Sequence, residues 1–244
     1  MSKNNKNIEV ISLIFKSVDY LDLIYNEFKR MGSKIGDWQV SFRIVANDAT
    51  DEVLNKLKLL DIPHTIYNDP NPNDYYLNRV YRCWNFAGKS SNYENICFVN
   101  SDMVFSQDWL KNLLKHHDGI NIPCARLVES GKMLSGEHAI SHNCGRGPKE
   151  IDFKLWDELV EKITKNEIHQ GGLFMPCVFD TNRFIESDMY PEGNIYSDGV
   201  GTLNEFVESG DAWYFKKLES QYGMKHITIF DSLVYHIQEG EKDE

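Results

Sequence analysis

The chain has 244 residues, 41% of them hydrophobic and 26% charged, enough for one sizeable α/β domain. Its formal net charge of −11 comes with no long Lys/Arg stripe, which argues against a nucleic-acid partner. The five cysteines (Cys83, Cys97, Cys124, Cys144, Cys177) are odd in number and scattered. They show no disulfide or zinc spacing, and the expected compartment is the reducing cytoplasm.

The polar run Met1 to Asn7 has no apolar signal core, and no apolar run is long enough for an integral membrane segment. Residues 8–15 form a β-branched apolar run that predicts a buried strand. Leu21, Ile24, Tyr25 and Phe28 then fall at helical spacing, with Gly32 just past them as a C-cap. A second strand is expected over 38–46, ended by the turn Asn47 to Asp51. Val53, Leu54, Leu57 and Leu60 mark the next helix face. A short strand over 62–67 and a Pro/Asn/Asp loop over 68–74 lead to a helix over 75–89, a buried strand over 96–99 and a helix over 107–116. The second half is less regular. It reads as Gly/Ser/His-rich loops over 129–150, an amphipathic helix over 151–165, a strand over 173–179, a helix over 203–218 and a last strand over 227–235.

Alternating strands and helices predict a mostly parallel central sheet with helices on both faces. Such sheets bind ligands at the carboxyl ends of their strands. Asp102, in Asn100-Ser101-Asp102 after a buried strand, can there hold Mn2+ or Mg2+; alone it also fits a helix N-cap. His236, directly after the last strand, can add a nitrogen ligand, or be an ordinary hydrogen-bonded histidine. Asp211 stands at a loop-to-helix junction, where a carboxylate either accepts a proton from a hydroxyl or caps the helix. Asp48 fits a nucleoside contact or an Asx turn.

The order of these signals resembles the GT-A glycosyltransferases, in particular family 2, over roughly residues 8–238. That family opens with a strand and a base-contacting loop, matched by Val10 to Asp19 with Phe15. Its paired-acid motif stands here as Asn47-Asp48-Ala49-Thr50-Asp51, one residue shorter. Its Asn, helix, Gly-Glu-x-Ile-x-Phe-x-Asp-x-Asp pattern places Asn85, Glu94, Ile96, Phe98, Asn100 and Asp102 in register without a gap. Asn100 replaces the first Asp, and Arg82 lies where the family carries Arg. His169 to Phe174 match loosely a Gly-containing strand beside the donor sugar. Gly210-Asp211 matches the family's Glu-Asp, with Gly for Glu, and His236 matches a late metal-ligand His followed by Gln238, Glu239 and Gly240.

The resemblance implies a single GT-A, Rossmann-like domain over 1–244, with a nucleotide-binding half (8–105) and an acceptor and sugar half (106–240). It implies an inverting hexosyl transfer from a nucleoside diphosphate sugar, UDP favoured, to a glycan or other hydroxyl acceptor. Phe15, Asp19, Asp48, Arg82, Asn85 and Asn100 are the implied nucleotide contacts, with Arg79 or Arg82 adding positive charge. Asp102 and His236 are the implied metal ligands, and Asp211 the catalytic base. Two alternatives stand beside it: a sugar-nucleotide nucleotidyltransferase, and a non-catalytic carbohydrate- or nucleotide-binding protein of the same fold. The oligomeric state is open, a homo-oligomer included.

Overall fold

The computed structural model describes residues 6–131 and 136–238. Met1 to Asn5, residues 132–135 of the Gly/Ser/His stretch, Glu239, Gly240 and the acidic tail lie outside the described residues.

The first half follows the predicted alternation: β1 (Lys6–Ile14), α1 (Val18–Met31), β2 (Lys34–Ile35), β3 (Trp38–Asn47), α2 (Asp51–Leu59), β4 (His64–Tyr67), α3 (Tyr76–Lys89) and β5 (Asn95–Val99). Continuous apolar sequence makes β1 and β5 buried on both faces, as parallel strands under helices require. Helices α1 and α2 start where a hydroxyl can accept an orphan amide. Ser17 accepts from the Tyr20 N–H, and Thr50 from the Val53 N–H. Gly32, at φ 74°, ends α1 as its position suggested.

The second half contains β6 (Met103–Phe105), α4 (Trp109–Leu114), β7 (Asn121–Glu129), β8 (Ile140–Ser141), α5 (Phe153–Ile163), β9 (Ile168–Gln170), β10 (Cys177–Asp180), α6 (Thr181–Glu186), β11 (Ile195–Tyr196), β12 (Gly199–Val200), β13 (Phe206–Glu208), α7 (Gly210–Tyr222) and β14 (Lys225–His236). β7 has no counterpart in the sequence reading, because Pro123 and Arg126 interrupt its apolar run. The strand expected from Leu173 begins only at Cys177, after Pro176, which has no N–H for a ladder. The helix expected from 203 begins at Gly210, because residues 206–208 pair as β13 with β11.

The main sheet has the order β2-β3-β1-β5-β10-β7-β14-β6, with β4 on β3, β8 on β7 and β9 on β14. Strands β1, β3, β4, β5, β7, β8 and β14 run one way; β2, β6, β9 and β10 oppose them. Helices α1, α2, α4 and α5 cover one face, and α3, α6 and α7 the other. The second face is closed by an aromatic cluster in which Phe98 packs on Trp84 at 4.7 Å and Phe184 at 5.2 Å between ring centroids. Burying one such ring contributes about 1.5–3 kcal/mol. Gly88 permits that approach, since a Cβ there would lie 2.4 Å from the Phe184 ring. From β1 the chain runs outward through β3 and β4, then returns to β5 on the other side of β1. The carboxyl ends of β1 and β5 therefore flank a topological switch point, the crevice where open α/β sheets bind ligands.

Candidate functional site

Three strand ends meet at one edge of that crevice. The turn after β5 carries Asn100 and Asp102, β7 ends in Glu129, and β14 ends in His236. Asp102 Oδ2 lies 3.3 Å from His236 Nε2, and Glu129 Oε1 lies 3.4 Å from Nδ1. Asp102 and Glu129 are buried. Carboxylates only accept, so both ring nitrogens donate and the imidazole is held as a cation. Burial opposes that charge, but the Asp102 carboxylate, with Glu129 behind it, outweighs burial and raises the His236 pKa to about 10. Burial likewise pushes Asp102 up, and the facing His236 more than reverses it, leaving Asp102 below its ordinary value.

Among the described residues no three His, Cys, Asp or Glu side chains converge as a ready-made metal cage. One carboxylate oxygen and one imidazole nitrogen are donor types that would suit a divalent cation such as Mn2+ as a partial ligand set.

Across the switch point lies a second charged cluster. Asp48 adopts a left-handed φ of 48°, which aspartate tolerates in a tight turn. Its Oδ1 accepts the Asp69 N–H at 2.8 Å, and its Oδ2 accepts Arg79 Nη2 at 2.6 Å. The Arg79 guanidinium also stands 5.5 Å over the Phe15 ring, so Arg79 brings Phe15 and Asp48 together. Beside them the Asn47 amide oxygen is buried with no hydrogen-bond partner.

Arg82 is turned elsewhere. It makes a bidentate pair with Asp69, both bonds 2.9 Å, and reaches Asp74 at 2.9 Å. Burial acts against both acids, but the Arg82 hydrogen bonds prevail and hold them below the usual carboxylate range. Asn85 is buried, and its amide clamps the Tyr190 backbone, donating to the carbonyl at 2.8 Å and accepting the N–H at 3.1 Å. Asp19 pairs with Lys149 at 2.6 Å. Asn100 is half-buried in the turn between β5 and β6.

Asp211 occupies the first turn of α7. Its carboxylate accepts the Ala212 N–H at 2.8 Å, and its own N–H donates to the Tyr81 hydroxyl at 3.1 Å. Asn194 Oδ1 accepts the Gly210 N–H at 3.1 Å. A Cβ at Gly210 would meet the Gly193 carbonyl oxygen at 2.5 Å, so the junction has no space for the glutamate of the family motif. A groove of about 460 Å³ starts beside Ala212 and runs between α7 and the Gly171-Gly172 turn, with Lys216 and Glu219 on its wall.

No protein-family model and no curated protein matches the chain by sequence. Solved structures match its backbone. GalNAc-T7 with UDP, GalNAc and Mn2+ superposes with a TM-score of 0.60 at 10% identity, covering 96% of this chain and 44% of that one. The mannosyltransferase PcManGT from Pyrobaculum calidifontis with GDP-Man and Mn2+ gives 0.58 at 13% identity, covering 96% and 58%. S. aureus TarS 1-349 gives 0.57 at 14% identity, covering 94% and 60%. This is the GT-A glycosyltransferase fold. The chain spans about half the length of the structures it matches.

On the GT-A scaffold the sequence-derived residues divide into groups. Asp102 and His236 meet, although 134 positions separate them. Phe15 and Asp48 meet through Arg79. Arg82, Asn85 and Asp19 are each bonded to protein partners of their own. Four contributors escaped the sequence reading: Asp69, Tyr81, Glu129 and Asn194. Asp69 carried the signal of an Asn-Asp-Pro turn. Glu129 carried none, because the strand it ends was itself not legible.

Proposed function

We propose that the chain is a glycosyltransferase that moves a hexosyl group from a nucleoside diphosphate sugar to an acceptor hydroxyl, dependent on a divalent cation and inverting the anomeric centre. The observation that carries this reading is the Asp102–His236 pair, an oxygen and a nitrogen donor at the switch point of a GT-A fold. Structures of similar backbone hold UDP or GDP-Man with Mn2+, and TarS has been solved with UDP-GlcNAc, which favours UDP. The motif reads Asn-Ser-Asp, one acid short of Asp-x-Asp, so Asp102 would be the acidic protein ligand it supplies. The five cysteines are free and buried, in keeping with a cytoplasmic setting.

In this mechanism Phe15, Asn47, Asp48 and Arg79 receive the nucleoside. Asp102 and His236 would hold Mn2+ or Mg2+, which would supply positive charge to offset that growing on the departing diphosphate. The acceptor oxygen attacks the anomeric carbon on the face opposite the diphosphate. Its proton passes to the Asp211 carboxylate, and the electron pair of the broken bond leaves on the phosphate oxygen.

Thermal-shift screening of UDP-, GDP- and dTDP-sugars with and without Mn2+ tests the donor site. The expected result is a Tm rise with one nucleotide class that grows with Mn2+; no metal-dependent rise with any of them removes the reading. Asp211→Asn is expected to lower kcat on the order of 10²–10⁴-fold while nucleotide binding persists. Product anomers read by NMR check the inversion.

A further inference from the structure

We propose that Glu129 is a positioning residue that fixes the His236 ring, so that Nε2 is presented to the divalent cation held with Asp102. This rests on Asp102 and His236 being the cation-holding residues.

The side chain of Glu129 is fully shielded from solvent. A carboxylate in such a place costs several kcal/mol unless it is paired, so packing alone gives no reason for an acid there. Its partners include two groups that flank the site: His236 Nδ1 at 3.4 Å, and the Gln238 side-chain amide, which donates to the same Oε1 at 2.9 Å. The backbone sets this geometry. Glu129 and His236 are register partners in the parallel β7–β14 ladder, which places their side chains alongside each other. The ladder is locked just beyond them. Ser130 N–H donates to the His236 carbonyl at 3.2 Å, and Ser130 Oγ to the Ile237 carbonyl at 2.7 Å. Ile237 N–H donates to the Asp102 carbonyl at 3.0 Å, tying the turn after β5 to the same strand end.

An imidazole bonded through Nδ1–H has its tautomer and ring plane fixed, and Nε2 remains as its ligand atom. Here Nε2 faces Asp102 Oδ2, the other donor. Glu129 thus converts a freely rotating strand-end histidine into an oriented one.

Mn2+ binding in the presence of UDP, followed by EPR of free Mn2+, tests this on the full chain. Glu129→Gln keeps the volume and an acceptor oxygen but loses the charge. It is expected to weaken Mn2+ binding about 10–100-fold. The KM for Mn2+ rises with it, while kcat at saturating Mn2+ stays within about a factor of a few. In metal-free protein near neutral pH, the His236 ring 15N shifts are expected to move in Glu129→Gln from the doubly protonated pattern toward that of a neutral tautomer mixture. Gln238→Ala, which removes the prop behind Glu129, is expected to weaken Mn2+ binding a few-fold and supplies the measurement should Glu129→Gln fail to fold. If His236→Ala loses Mn2+ while Glu129→Gln and Gln238→Ala bind it as the wild type does, the positioning role falls and the transferase reading stands. If the wild type with UDP takes up no Mn2+, both fall.

Discussion

The two charged clusters at the switch point balance their acids differently. On one side Asp48, Asp69 and Asp74 face Arg79 and Arg82. On the other, Asp102 and Glu129 face His236. A guanidinium keeps its proton at any pH a protein survives, so the first cluster holds permanent cations. An imidazolium holds an exchangeable proton, so the second cluster can release it and accept a metal ion instead. The first is a wall of fixed charge; on the proposed reading the second is where a divalent cation would take the place of a proton.

The hardest test of that contrast is to remove a permanent cation. Arg82→Ala leaves the buried Asp69 carboxylate without its bidentate partner, and breaking such a pair costs about 3–5 kcal/mol. Urea unfolding followed by circular dichroism measures it. A loss below about 1 kcal/mol would mean that Asp69 finds water, and that the wall is not a wall.

The acids held by Arg82 and the imidazole of His236 also respond to pH with opposite signs. Asp69 and Asp74 sit below their ordinary 3.8, burial being outweighed by Arg82, so the stability they provide is present above about pH 4 and is lost as pH falls through their folded values. His236 sits above its ordinary 6.5, at about 10, so its contribution is complete below about pH 6.5 and is lost as pH rises through about 10. In metal-free protein, Tm is expected to fall by several degrees between pH 7 and 10, most of the His236 contribution being lost over that span. His236→Gln should flatten that alkaline limb and keep the Asp69 and Asp74 part of the acid limb, losing there only what Asp102 contributes through its pair with His236. An unchanged alkaline limb would show that His236 is not the group responsible.

The two sides were not equally legible in the sequence. The wall lies within residues 48–82, where strands and helices alternate and turn residues mark each boundary. Local pattern therefore located Asp48, and the family resemblance pointed to Arg82, although neither could show that Arg82 would turn to Asp69 instead of to the crevice. That choice is made by the loop fold around Asp69, Asn71 and Asp74, which only tertiary structure sets. The second cluster is assembled from three strand ends far apart in sequence. Asp102 and His236 emerged because each closes an apolar run. Glu129 did not, because β7 contains a proline and an arginine whose strand conformation is imposed by β10 and β14 on either side. The glycine at 210 was visible as a departure from a motif, but its cause, the Gly193 carbonyl 2.5 Å from any Cβ, belongs to the packed junction.

The smallest expected effect separates the backbone of the second cluster from its chemistry. Ser130 Oγ donates to the Ile237 carbonyl at 2.7 Å, just beyond His236, and touches neither the imidazole nor either carboxylate in any bond that defines the site. Ser130→Ala removes one buried hydrogen bond, about 1 kcal/mol. The β7–β14 ladder keeps Glu129 and His236 in register without it. Stability is therefore expected to fall by that amount, with Mn2+ affinity in the presence of UDP unchanged. A matching loss of Mn2+ affinity would mean that the strand end itself, and not the Glu129 carboxylate, aims the ring. The second cluster would then be as much a product of backbone rigidity as the first.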